Sequence, residues 1–163
     1  MKNKIALTLI SVVMLVLCSC NSFAQEKGRT NHSEINVKSG QISVSVTKST
    51  YPESFQCKSA PSWRWGAENK CPAYYISIMV VRSGNESVFI PLSAFADLGN
   101  PRDIRIENYG GKSFGIVLTG GDAATSYTAK LEFVNNLLAE RTVRHGEFPE
   151  EAWEKTQYKF NYK

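Results

Sequence analysis

Apolar and polar residues alternate along most of the chain beyond residue 40. Ile42, Val44 and Val46 are each separated by one serine, and this period of two places apolar side chains on one face of a β-strand. The same alternation or a short apolar run recurs in eight stretches, at residues 41–47, 73–82, 86–90, 103–109, 113–119, 127–133, 137–144 and 158–162. The pattern therefore predicts about seven or eight strands.

The connections between most of these strands are short and rich in turn-forming residues. Gly110-Gly111 and Asn135-Asn136 each suit a tight hairpin, because glycine and asparagine tolerate positive φ angles. Two stretches, residues 92–98 and 148–153, indicate short helical pieces; in the second, Pro149 suits the first helical position. We expect a mainly β fold, a single antiparallel sandwich or barrel.

The first residues have the layout of a secretory signal. Lys2 and Lys4 precede a mainly apolar stretch from Ile5 to Cys18, and polar or small residues follow. A membrane-spanning helix needs about 20 apolar residues, so this stretch is short for a permanent anchor. We expect export, with a periplasmic location in a bacterial-type cell.

Two routes of cleavage stay open. Leu17-Cys18-Ser19-Cys20 resembles a bacterial lipobox, which implies lipid attachment at Cys20, whereas Ser22-Phe23-Ala24 offers an ordinary cleavage site. With the lipobox, residues 1–20 form the signal peptide. Residues 21–40, which are polar, form a flexible tether, and residues 41–163 form a single β-rich domain. The membrane is then contacted through the lipid anchor alone.

The cysteines and charges narrow the chemistry. Removal of the signal leaves Cys57 and Cys71 as the two free thiols, and in an oxidising compartment we expect them to pair. In the chain-entropy model, a disulfide that closes this loop would stabilise the folded state by about 3 kcal/mol. The remaining 17 basic and 15 acidic residues give a charge near +2, and no basic stripe indicates nucleic-acid binding. With only His32 and His145 as histidines, we expect no metal site and no cofactor.

The longest irregular segment is the first candidate for a binding surface. Residues 50–72 lack periodicity and contain three prolines, and structureless loops of this length are often functional. Trp63, Arg64 and Trp65 lie inside the expected disulfide ring, and these residue types are enriched at interaction hot spots. The alternative is that one tryptophan closes the end of the barrel and Arg64 stacks on the other.

The second candidate is the loop that joins two strands at residues 120–127. Its binding candidates are Gly120, Gly121, Asp122, Ser126 and Tyr127. The loop resembles the inhibitory loops of bacterial periplasmic lysozyme inhibitors over about eight residues, although their Ser-Gly-x-x-Tyr spacing is not reproduced. The alternative is an ordinary glycine turn between two strands.

The third candidate is the segment 141–148, where His145 stands two residues before Glu147. A carboxylate can orient an imidazole as a general base. However, no G-x-S-x-G motif, catalytic cysteine or carboxylate pair accompanies it, so we assign no catalytic residue. A small hydrolase using His145 stays as a lesser alternative.

Together these features favour a noncatalytic binding protein of the periplasm. We expect its partner to be another protein, and its role to be that of an inhibitor or immunity protein that blocks a cell-wall hydrolase or a delivered toxin. The main alternative is an accessory lipoprotein of envelope assembly.

Overall fold

The computed structural model describes residues 31–51, 65–67, 71–150 and 152–161, and it confirms a mainly β fold. Two antiparallel sheets form a sandwich-like arrangement, one of four strands and one of five. The strands are β1 (His32–Ser39), β2 (Ile42–Ser49), β3 (Tyr75–Ser83), β4 (Glu86–Val88), β5 (Pro101–Gly110), β6 (Ser113–Gly120), β7 (Tyr127–Val134), β8 (Leu137–His145) and β9 (Ala152–Gln157). In both sheets, spatial order follows chain order, so the first contains β1 to β4 and the second β5 to β9.

The core forms where the apolar faces of the two sheets meet. In β7 the buried positions alternate strictly, from Tyr127 to Phe133, as the period of two predicts. Phe133 stacks on Phe114 of β6, its partner across the ladder, with ring centroids 4.5 Å apart. Facing them, β2 and β3 bury Val44, Val46 and Ile76. The hydrophobic alternation along the chain thus fixes which side of each strand is inside.

Helical structure in the described residues is limited to two single 3-10 turns, Leu92–Ala94 and Ala123–Thr125. The first confirms the short helical piece predicted within residues 92–98, and it buries Ala94. No helix in the described part of the chain has the length and apolarity to cross a bilayer.

The boundary predicted between tether and domain is wrong. Residues 32–39 were expected to belong to a tether spanning 21–40, yet they form β1 and pair with β2 along its whole length. Ile35 and Val37 pack against the core, whereas the intervening side chains are exposed and polar. With two apolar residues in eight, an edge strand has little of the signal that marks the others. Residues 21–30 lie outside the described residues.

The prediction for the C-terminal region is also wrong. Pro149 and Glu150 form a turn instead of a helix start, and the last described strand, β9, runs over Ala152–Gln157. Residues 158–161, the described part of the predicted strand at 158–162, are not in a strand. β9 is an edge strand paired with β8, and its polar residues alternate between exposed and half-buried. The aromatic residues behind the prediction, Tyr158 and Phe160, pack against the core after the strand has ended.

Because consecutive strands in each sheet run antiparallel, successive connections lie alternately at the two ends of the sandwich. At one end, the hairpin end, lie the turns at residues 40–41, 84–85, 111–112 and 135–136, which contact one another. Gly84 N donates to Gln41 O at 2.8 Å, and Asn136 N donates to Lys112 O at 2.9 Å. The longer connections lie at the opposite end, the loop end, in their described parts: residues 50–51, 65–67, 71–74, 89–100, 121–126 and 146–150. The described residues of all three candidate segments therefore meet this end of the molecule.

Candidate binding site at the loop end

Backbone hydrogen bonds join the candidate segments to one another. Trp65 N donates to Asp97 O at 3.0 Å, and Gly99 N donates back to Trp65 O at 2.7 Å. Next to them, the Asn100 side chain donates to Gly66 O at 2.8 Å. Gly121 N then donates to Asn100 O at 3.1 Å. These bonds therefore connect three segments into one layer: residues 65–66, the crossover before β5 (residues 89–100, which lead from β4 to β5) and the 120–127 loop.

Glycine is required where these segments cross. Gly66 has a φ of +84°, and a Cβ there would collide with the carbonyl oxygen of Gly99 and the ring of Tyr127. Gly121 has a φ of +66°, and a Cβ there would lie 2.9 Å from the Cα of Gly66. Only glycine combines this backbone conformation with such close approach. The glycines of the second candidate loop thus serve packing within the protein.

An aromatic cluster covers the loop end, made of Trp65, Trp153, His145 and Phe148. The rings of Trp65 and Trp153 stack with centroids 4.9 Å apart and planes 10° apart. His145 meets Trp153 edge to face at 4.6 Å, and Phe148 lies 5.1 Å from His145. Trp153 is 36% exposed and Phe148 is 52% exposed. The outer members of the cluster are thus open to solvent, whereas Trp65 packs against the core.

His145 holds the turn that carries Phe148. Its Nδ1 accepts hydrogen bonds from the backbone N–H groups of Glu147, at 3.0 Å, and Phe148, at 3.2 Å. Both bonds use the lone pair of Nδ1, so they form only while Nδ1 carries no proton. Glu147 therefore contacts the imidazole through its backbone N–H group. A general-base pair would instead use the carboxylate of Glu147.

A nearly buried ion pair supports the cluster from below. Arg141 is 2% exposed, and it donates to Ser93 O at 2.6 Å and to the Asp97 carboxylate at 2.7 Å. The Glu154 carboxylate lies 3.5 Å from the same guanidinium and accepts a bond from Trp65 Nε1 at 3.3 Å. Arg141 thus ties β8 to the crossover before β5 and, through Glu154, to the tryptophan pair.

Burial and charge act in opposite directions on this guanidinium. Burial by itself lowers the pKa of Arg141, but the hydrogen bond and charge of Asp97, together with the charge of Glu154, outweigh it and raise the pKa above its ordinary value. Burial, reinforced by the charge of Asp97, also raises the pKa of Tyr127. The tyrosine therefore stays a neutral core residue at physiological pH.

The remaining residues of the second candidate loop stabilise their own turn. Thr125 donates from its backbone N–H to Asp122 O at 3.0 Å, and its hydroxyl lies 3.4 Å from the Asp122 carboxylate. Ser126 O accepts a bond from Gly146 N at 2.9 Å, which links the loop to the turn after β8. Tyr127 is buried and Gly120 packs against its ring. Of this set, Asp122 is exposed.

Some predicted site residues cannot be placed. Trp63, Arg64, Cys57 and Cys20 lie outside the described residues, so the disulfide with the half-buried Cys71 and the lipid attachment stay predictions. Conversely, the sequence analysis missed Trp153, Asp97 and Glu154. Strand parity was the available signal, because every second connection of an antiparallel meander returns to the same end. The prediction of a helix at Trp153 concealed that this residue is the second of strand β9 and lies beside His145.

A surface cavity lies elsewhere. It has a volume of about 250 Å³ and lies toward the hairpin end of the first sheet, among residues 36–38, 43–45, 80 and 82. In the described part of the chain, no group of three or more His, Cys, Asp or Glu side chains is placed to hold a metal ion.

No protein-family model, curated protein or solved structure matches the chain. The fold and the loop end therefore define a mainly β, sandwich-like protein with a candidate binding site.

Proposed function

We propose that this chain is an exported, noncatalytic binding protein that docks another protein through the aromatic cluster at its loop end. The observation that carries the proposal is the exposed part of the cluster, Trp153 and Phe148, mounted on a buried and hydrogen-bonded base. Large aromatic side chains contribute most binding energy when a rigid support presents them to a partner.

The support of Trp153 is unusually complete for a surface side chain. It lies on β9, its ring is stacked on Trp65, and its other neighbour, His145, is fixed by two backbone bonds. A side chain already held in place loses little conformational entropy on association. We therefore place the energetic centre of the interface at Trp153, with Phe148 beside it.

The subclass we propose is an inhibitor or immunity protein that blocks a cell-wall hydrolase or a delivered toxin. Such a role needs a stable scaffold, a rigid projecting surface and export. The β-sandwich supplies the stable scaffold, and the aromatic cluster supplies the rigid projecting surface. The N-terminal signal motif supports export. Catalysis by His145 is less favoured, because its Nδ1 is occupied by two backbone N–H groups.

The experiment is site-specific photo-cross-linking in the native envelope. A photoreactive side chain at Trp153 should capture one protein at one-to-one stoichiometry. The matched control is Tyr109, an exposed aromatic residue near the hairpin end, which should not capture it. Capture from both positions, or from neither, would contradict a docking surface at the loop end.

A second function, an accessory role in envelope assembly, is favoured by a different observation. Ile78 and Val80 are 54% and 41% exposed on the outer face of β3, where a polar face is normal. If this face docks the partner, Ile78→Thr with Val80→Thr should abolish association while Trp153→Ala leaves it intact. The proposal for the loop end requires the reverse.

A further inference from the structure

We infer that His145 is a pH-sensitive latch for the binding surface, ordering Phe148 when neutral and releasing it when protonated. This inference rests on the proposed function for its biological consequence, although the latch itself is measurable without a partner. It follows from one arrangement, in which a single ring nitrogen accepts the backbone N–H groups of Glu147 and Phe148 at 3.0 and 3.2 Å.

Protonation reverses the role of that nitrogen. Histidine changes charge between about pH 5 and pH 8, and the imidazolium carries a proton on both ring nitrogens. A protonated Nδ1 would point its own N–H at two other N–H donors. Both hydrogen bonds would be lost, and the turn from Gly146 to Glu150 must rearrange to relieve the repulsion.

The charged and titratable side chains around His145 do not prevent this rearrangement of the turn. Arg144 already donates to the carbonyls of Pro149 and Glu150, so its positive charge stays near the turn. Tyr127 lies opposite His145 on β7 and is neutral, because burial raises its pKa. On β9, Glu154 is engaged by Arg141 and Trp65. Among the described residues of the turn, 146–150, the other charged groups are the exposed carboxylates of Glu147 and Glu150.

The exposed carboxylates favour the rearrangement. A carboxylate can accept a hydrogen bond from the protonated Nδ1 only after the backbone N–H groups of Glu147 and Phe148 have moved away from it, so the charged ring favours a different turn. Because Phe148 contacts His145 directly, the same movement displaces the aromatic side chain most exposed in the cluster. Trp153 remains stacked on Trp65, so half of the surface is unaffected.

Asparagine at position 145 provides a matched variant. Its side-chain oxygen accepts backbone N–H groups two and three residues ahead in the usual Asx turn, which is the spacing from His145 to Glu147 and Phe148. His145→Asn thus retains the acceptor and removes the titration. The chain has one other histidine, His32, which bonds Ser49 on the first sheet; His32→Asn controls for its protonation.

The test is amide hydrogen exchange and NMR of the full mature protein from pH 8 to pH 5. In the wild type and in His32→Asn, protection of the Glu147 and Phe148 amides, corrected for intrinsic exchange, should fall by about tenfold with loss of the bonds. In His145→Asn it should stay constant. Constant protection in the wild type, or an equal fall in His145→Asn, would overturn the latch.

Two further readings keep the outcome decisive. If His145→Asn does not fold, the midpoint of the amide shifts in the wild type must coincide with the titration of the His145 ring protons, and separate midpoints would refute the inference. Once a partner has been cross-linked, its affinity should fall at low pH for the wild type and not for His145→Asn. If Trp153→Ala leaves affinity unchanged, the proposed function fails while the amide result still stands.

Discussion

Replacing Arg141 with methionine tests the base on which the candidate site rests. The guanidinium is almost fully buried and bonded to Ser93 O and Asp97, with Glu154 close by. Arg141→Met keeps the unbranched apolar stem of the side chain and removes the charged guanidinium, so the Asp97 carboxylate loses its cation and the Ser93 carbonyl loses a donor. The site is then left with two carboxylates close to each other.

The magnitude follows from burial. Breaking a buried pair by removing one partner costs about 3–5 kcal/mol. The Asp97 and Glu154 side chains are 14% and 29% exposed, and water can reach them, so we expect about 3 kcal/mol, at the lower limit of that range. For a domain of this size, the melting temperature should fall by about 10 °C.

Two controls separate charge from packing. Lys112 and Glu86 form an exposed pair at the hairpin end, with side chains 58% and 59% exposed, so Lys112→Met should leave the midpoint of urea unfolding almost unchanged. Adding Asp97→Asn to Arg141→Met removes one of the two uncompensated carboxylate charges, the one closer to the guanidinium in the wild type, and should restore at least half of the loss. The assay is reversible urea unfolding followed by circular dichroism. A loss below about 1 kcal/mol for Arg141→Met would refute the assigned role of this pair.

Three further predictions concern other parts of the fold. Gly66→Ala should cost about 3 kcal/mol by collision, whereas Gly111→Ala, with open space around its Cβ and a φ of +59°, should cost about 1 kcal/mol; urea unfolding checks both, and equal costs would contradict the crossing. Removing the first 30 residues should leave the melting temperature unchanged, whereas removing the first 40 deletes β1 and should lower it markedly. Equal melting temperatures for the two truncated proteins would contradict the assignment of β1 to the folded domain. Hydrogen bonding from Tyr109, with smaller effects of neighbouring cations, holds the pKa of Glu107 below its usual value. Its contribution to stability is therefore present at neutral pH and lost as pH falls through the acidic range, so Glu107→Gln should show a shallower acid dependence of unfolding, and an unchanged dependence would contradict this.

The sequence could reveal the interior strands because their apolar side chains face a core. In β7 every second residue is buried, and the Asn135-Asn136 turn has the positive φ angles, +52° and +62°, that its residue types indicate. The edge strands were obscured for the converse reason. β1 and β9 cover the core with one half-buried face, so a partly polar sequence suffices, and their identity comes from pairing with β2 and β8.

The candidate site shows the same division. Trp65 and His145 were identified by residue type, which is local information. The contact between Trp65 and Trp153 joins residues 88 positions apart along the chain, and the Arg141–Asp97 pair joins residues 44 apart. Such contacts depend on which end each connection occupies, so they required the strand order before they could be recognised.

The aromatic cluster is proposed to bind a protein partner. The most direct test is titration calorimetry, in which the partner identified by cross-linking at Trp153 is purified and titrated against the wild type and its variants. Trp153→Ala should weaken the affinity by about 30-fold or more, the loss of one hot-spot residue, while the folded state is retained. Tyr109→Ala, near the hairpin end, should leave the affinity within about threefold of the wild type, as expected outside an interface. Equal affinities for the wild type and Trp153→Ala would contradict the account.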